Sequence, residues 1–262
     1  MPDISIIKEA LDHQPDAIVL THIGGYPNPD ILEISNLFKE WGFILIEDCA
    51  HSPFVSIDDQ YVGTFGDAAI LSFFPTKPIP AGEGGLVILK DHVKAEQARG
   101  LRDYGKYPLD GQLHHSLPAL PNARMNDFSA AIANVIIDNY ESIIQHKEEL
   151  AEIYDSELGE YSFKNINYTG SVVSPSYYKY ICFVPESSIK TSPVYDHTNQ
   201  ITSILDENSY PYIFVGETRS WIPHVCLPLT PSMNKSDIYD LSLIHISEPT
   251  RPLYISYAVF CL

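Results

Sequence analysis

Positive charge is scarce in this 262-residue chain: 16 Lys and Arg stand against 34 Asp and Glu, a formal net charge of −18. A phosphate backbone or an anionic lipid surface would repel it, which argues against nucleic acid or membrane as a partner. Long apolar runs are missing as well. None approaches the roughly 20 residues of a spanning helix, and the opening "MPDISIIKEALDHQPD" lacks the basic-then-apolar order of a secretory leader. A soluble, cytoplasmic chain is expected. Cysteine is sparse: Cys49, Cys182, Cys226 and Cys261 are far apart and form no CxxC pair, which excludes a disulfide scaffold. The neighbouring His114 and His115 point apart on regular structure, so no metal is expected there either. No strand runs into a G-x-G-x-x-G turn, which disfavours a nicotinamide-dependent enzyme. Internal repeats and low-complexity segments are also absent.

What is present suits a packed core, with 45% hydrophobic and 11% aromatic residues. The first part alternates short apolar runs with helical periodicity. "DAIVLTHIGG" predicts a strand, and "NPDILEISNLFKEWG" a helix with Asn28 as N-cap, Pro29 at its first position and a stripe of Ile31, Ile34, Leu37, Phe38 and Trp41. "FILIEDCA", "AAILSFF" and "GGLVILK" predict further strands. Apolar strands separated by helices imply an α/β class with a mostly parallel sheet covered on each side. Ligands of such sheets bind beyond the carboxyl ends of the strands, where His22, Asp48, His51, Ser72 and Lys77 fall. Between Asn126 and Leu158 there is neither Gly nor Pro, which predicts a long helix or a kinked pair. After Gly159, short Tyr-rich and β-branched runs predict a smaller α+β domain. The expected division is a large domain over 1–160 and a small one over 161–240. Residues 241–262, "LSLIHISEPTRPLYISYAVFCL", are similar to a translated sequencing adapter and are expected to be a non-native tail.

The stretch "SFFPTKPIPAGEGG" concentrates the chemistry. A pyridoxal phosphate site needs an amine that bonds the cofactor, a carboxylate that keeps the pyridine nitrogen protonated, donors for the phosphate and a group that covers the ring. Lys77 can be the amine and Asp48 the carboxylate. Ser72 can donate to phosphate, and the backbone beside Gly84 and Gly85 can approach a ligand closely. Each has a plainer reading. Lys77 and Glu83 can be solvated loop charges, Asp48 can cap the next turn and Ser72 can bond its own backbone. His22 and His51 can be satisfied structural histidines. Their joint spacing favours the cofactor site.

Four ordered stretches, "IEDCAHS", "YVGTFGDAAILSFFPTKPIPAGEGG", "LRDYG" and "NARMNDFSAAIA", resemble the signatures of the DegT/DnrJ/StrS-type aminotransferases. These are pyridoxal phosphate enzymes of fold type I, many of which aminate keto-sugars attached to nucleotides. The likeness covers over half the chain. It implies that Lys77 bonds the cofactor and moves the proton, that Asp48 partners the pyridine nitrogen and that Ser72 holds phosphate. His51 stands where the family has Gln or His near the ring. Asn122 matches an asparagine reaching the phosphate in a neighbouring subunit, which implies a homodimer with shared sites; Arg124 lies in the same stretch. The implied reaction moves an amino group, with glutamate the expected donor, to a keto group of a nucleotide-linked sugar. Two alternatives are a sugar dehydratase of the same fold, which has histidine at the Lys77 position, and a non-catalytic truncated homologue. The family also has a phosphate-cradling helix start and a ring-stacking aromatic in a segment preceding Met1, so the chain is expected to be a fragment, inactive by itself.

Overall fold

Asp3 caps the first helix, accepting from the backbone N–H groups of Ser5 (2.9 Å) and Ile6 (3.0 Å). This helix, α1 (Ile4–Asp12), turns Ile7 and Leu11 into the core. The computed structural model describes residues 1–109, 112–115, 122–158, 170–183, 224–227 and 229–238. In chain order there follow β1 (Ala17–Thr21), α2 (Ile31–Trp41), β2 (Ile44–Asp48), β3 (Ser56–Ile57), β4 (Gln60–Tyr61), β5 (Ala68–Ser72) and β6 (Gly85–Leu89). After them come α3 (His92–Arg102), β7 (Lys106–Leu109), β8 (Gln112–His115), α4 (Asp127–Asp138) and α5 (Tyr140–Leu158). Three short strands complete the set: β9 (Val173–Ser174), β10 (Tyr180–Phe183) and β11 (His224–Leu227). The tail 241–262 lies outside the described residues, as does much of 161–240.

The main sheet has the order β1-β2-β5-β6. The first three strands are parallel, with Thr21 opposite Asp48 and Asp48 opposite Ile70; β6 returns antiparallel, with Ser72 opposite Gly85. Side chains alternate between faces. Leu20, Leu45, Glu47 and Ala69 therefore share a buried face, packed with Ile31, Ile34 and Phe38 of α2 and with Ile7 and Leu11 of α1. Asp48, Ile70 and Ser72 take the other face.

That other face departs from the expectation of a sheet covered on each side. Val19 is 59% exposed, Ile70 41% and Val87 64%. Among the described residues the helices α1 and α2 both pack on the opposite side, because their apolar stripes match the Leu20–Leu45 row. The expected capping of α2 also shifts. Asn28 is buried two residues ahead of the cap position, its Oδ1 accepting from Asp30 N (2.9 Å) and its Nδ2 donating to the Pro2 carbonyl (2.8 Å), and α2 starts at Ile31. Trp41 falls off the buried stripe. The helical stretch after Asn126 is a kinked pair broken at Asn139.

The segment between β5 and β6 is a rooted loop. Phe73, Ile79 and Ala81 are buried against Ala133 of α4 and Tyr140 of α5, and backbone bonds run from Phe73 N to Gly84 O and from Ala81 N to Phe73 O, both 2.9 Å. Lys77, half-buried, sits within this loop in a turn closed by its N–H on the Phe74 carbonyl (2.9 Å).

Candidate active site

Two adjacent acids at the end of β2 face opposite ways, and this separates structure from chemistry. Glu47 points into the core. Its carboxylate accepts from the N–H groups of Gly63 (2.7 Å), Phe65 (2.8 Å) and Gly66 (2.6 Å), and from His22 Nε2 (3.0 Å). His22 Nδ1 accepts from Asn28 N (2.9 Å), so the ring proton sits on Nε2 and points at Glu47. Burial alone would raise the Glu47 carboxyl; the bonds from His22, Gly66 and Gly63 outweigh it and hold the group below the ordinary carboxylate value. His22, Glu47 and Cys49 bring ligand-type atoms within 4.8 Å of one another. Yet both ring nitrogens and both carboxylate oxygens are engaged, and burial, then Glu47 and Asp48, push the Cys49 thiol up so that it keeps its proton. The cluster is a hydrogen-bond hub tying β1, β2 and the 63–66 turn together.

Asp48 points to the open face. Its Oδ1 accepts from Ala50 N (3.0 Å), so it does cap the next turn, while Oδ2 accepts no hydrogen bond among the described residues. Three residues on, His51 is half-buried, its Nδ1 accepting from Gly24 N (3.3 Å). Burial first, then the Lys77 charge, pull the His51 ring down to about 4, with Asp48 opposing and Lys179 adding to the fall. His51 is therefore neutral at pH 7 and carries its proton on Nε2.

The ring of Tyr178 gathers these groups. It lies 4.4 Å from the His51 ring at an interplanar angle of 30°, and Lys77 Nζ stands 5.4 Å from its centroid. The Tyr178 hydroxyl meets Thr76 Oγ1 at 3.5 Å. Lys77 and Asp48 both lie close enough to the His51 ring to act on it. Ser72 lies on the same face as Asp48, two residues beyond its partner Ile70. Its hydroxyl accepts a long, local bond from Phe74 N (3.4 Å).

Asn122 and Arg124 belong to a different set of contacts. Asn122 is exposed, bridges to Asp103, and accepts from Arg124 N (3.0 Å) and Nε (2.9 Å). Arg124 also stands 3.5 Å from Asp103 and 5.8 Å from the Tyr104 ring centroid.

Sequence reasoning missed the segment that delivers Tyr178. Ser176 Oγ donates to the His51 carbonyl (2.7 Å), Ser176 N to Gly25 O (2.9 Å) and Lys179 N to Gly24 O (3.3 Å). From α5, Lys147 donates to Tyr177 O (3.0 Å). Gly25 permits the docking: at φ +96°, a Cβ there would meet Ser176 Oγ at 2.5 Å and Tyr178 N at 2.6 Å. Gly25→Ala is accordingly expected to destabilise the protein by about 2 kcal/mol or more and to displace Tyr178 from His51; thermal unfolding and the tyrosine fluorescence of the variant check both. No local signal marks "SYYK" as part of the site, since its partners lie far away in sequence.

Known proteins are similar to this chain in sequence and in fold. The chain is 35% identical over 153 residues to GDP-perosamine synthase of Vibrio cholerae, covering 58% of this chain and 41% of that protein. It is 35% identical over 130 residues to UDP-N-acetyl-3-dehydro-alpha-D-glucosamine 3-aminotransferase of Acidithiobacillus ferrooxidans, covering 49% and 34%. The chain spans less than half the length of these relatives. Among solved structures, PseC of Helicobacter pylori, an aminotransferase of pseudoaminic acid biosynthesis, superposes with a TM-score of 0.75 at 17% identity, over 92% of this chain and 68% of that one. The likeness extends to the family as a whole, whose model matches residues 1–241, and the chain belongs to the DegT/DnrJ/EryC1/StrS aminotransferase family.

Proposed function

We propose that the chain carries the catalytic core of a pyridoxal phosphate aminotransferase that moves an amino group, with glutamate as donor, to a keto group of a nucleotide-linked sugar. The observation that carries this reading is the meeting of His51 and Lys77 at the Tyr178 ring, with Asp48 near enough to act on the His51 ring. The donor set fits the cofactor. An amine stands near a carboxylate with one oxygen still able to accept, beside a neutral imidazole and an aromatic face, and a strand-end hydroxyl lies on the same side.

Pyridoxal phosphate, when bound, supplies the electron sink for breaking bonds at the substrate carbon. The protein's part is positional and electrostatic. Lys77 Nζ is the base that takes the proton and returns it, on a loop whose root is packed against α4 and α5. Asp48 would hold the pyridine nitrogen in its protonated form through its second carboxylate oxygen. His51, neutral and stacked on Tyr178, offers a flat surface without adding positive charge. Ser72 would donate its hydroxyl to the phosphate. Asn122, exposed and held by Arg124, is presented to a neighbouring subunit in a homodimer with shared sites. The GDP- and UDP-linked names of the two relatives favour a nucleotide-sugar acceptor.

Asp48→Asn, made in the full-length parent, is the test of this reading. It keeps the turn cap on Ala50 N while removing the charge, and is expected to slow amino transfer from glutamate by about 100-fold or more with little change in thermal stability. An unchanged rate would remove Asp48 from the chemistry.

A further inference from the structure

The segment that carries Tyr178 brings a second lysine to the same ring. Lys179 Nζ stands 5.2 Å from the Tyr178 centroid, Lys77 Nζ 5.4 Å. A third lysine, Lys147, is only 5% exposed behind them. Acids outnumber bases about two to one in this chain, and four of the described cations pair with them: Lys8 with Glu33, Arg99 with Glu96, Lys106 and Arg124 with Asp103. Lys179 is half-buried and pairs with no carboxylate among the described residues. Its backbone is anchored on Gly24 O, so its place beside the ring is set by the fold. Like charges gathered at one partly buried ring are unfavourable unless an anion offsets them. The Lys179 charge is felt by a neighbour: burial first, then Lys179, draw Lys147 down to about 8, while Glu148, Asp155 and Glu152 act on the adjacent Tyr177.

We propose that Lys179 is an anion-binding residue of this site, receiving a carboxylate or phosphate oxygen of a ligand bound beside Lys77. The inference rests on the reading of Lys77 as the reacting amine. Both amines stand beside one aromatic ring, so a ligand bonded to Lys77 can offer an anionic group to Lys179. The oxygen can belong to the carboxylate of the amino donor or to the phosphate of the cofactor.

Calorimetric titration of the purified chain, free of cofactor, with glutarate and separately with inorganic phosphate tests this. Lys179→Gln is expected to weaken one of the two anions about tenfold or more, and Lys179→Arg to keep it within about threefold of the unmodified protein. A loss confined to glutarate assigns the residue to the donor carboxylate; one confined to phosphate assigns it to the cofactor. Equal affinities in the unmodified and Gln proteins for both anions, or no binding of either by the unmodified chain, would overturn the proposal. The readout does not involve Lys77, so the failure of either assignment is seen apart from that of the other.

Discussion

Lys77→Ala in the full-length parent is expected to abolish the visible absorbance of a lysine-bound cofactor and to lower amino transfer by about four orders of magnitude or more, since it removes both the covalent attachment and the proton carrier. The side chain is half-buried on a rooted loop, with Phe73, Ile79 and Ala81 anchoring it independently of the ammonium group. The variant should therefore fold, with its cooperative unfolding midpoint close to that of the unmodified chain. Absorbance spectra in the presence of pyridoxal phosphate, before and after borohydride treatment, are the measurement. A Lys77→Ala protein that still forms a reducible chromophore would require another amine. Lys179, on the same ring, is the obvious substitute, and the double variant would then decide between them.

The second large effect is structural. Glu47→Ala would strip the acceptor from three backbone N–H groups and from His22 Nε2 at a fully buried position. Each orphaned buried donor costs about 1–3 kcal/mol, partly relieved if water enters. The expected loss is about 3–5 kcal/mol, a large part of the total stability of an ordinary domain. Glu47→Gln, which keeps one acceptor oxygen but sets an amide donor against backbone donors, should lose less. Urea unfolding of both variants checks the order, and a loss below about 1 kcal/mol in the Ala variant would show that the hub is dispensable.

The pH dependence follows with a definite sign. Because the folded-state Glu47 carboxyl lies below its ordinary value, the unfolded chain binds the proton more readily. The contribution is complete above the unfolded value and is lost as pH falls through the folded one. His51 acts in the same direction at higher pH, its folded value of about 4 lying below the ordinary imidazole value of 6.5. Stability should decline on acidification, first below pH 6.5 through His51 and then below the carboxylate range through Glu47. In Glu47→Gln the lower step should shrink, which unfolding midpoints between pH 7 and 3 would show.

Much of the frame was legible because its signals are local. Apolar runs of strand length alternate with the α1 and α2 periodicities, and Asp48, His51, Ser72 and Lys77 follow strand ends. The errors were also local in origin. Asn28 carries the side chain of a helix cap, but its Oδ1 closes a turn onto Asp30, its backbone N–H serves His22 and its Nδ2 serves Pro2, so the helix begins later. The apolar strands imply a sheet covered on both sides. Hydrophobicity along a strand does not say which neighbour lies over it, and Val19, Ile70 and Val87 are open among the described residues.

By itself, then, the order of residues determined the strand and helix alternation and the position of Lys77 in a loop after β5, because side-chain period and turn chemistry act over a few residues. Only the tertiary structure decided that Glu47 would build the core while Asp48 faced outward, because the two faces of a strand differ only in what packs against them. It alone also brought Tyr178 and Lys179 to His51 and Lys77. That meeting depends on the close approach of Ser176 and Tyr178 to Gly25, a contact between segments far apart in sequence that no local pattern encodes.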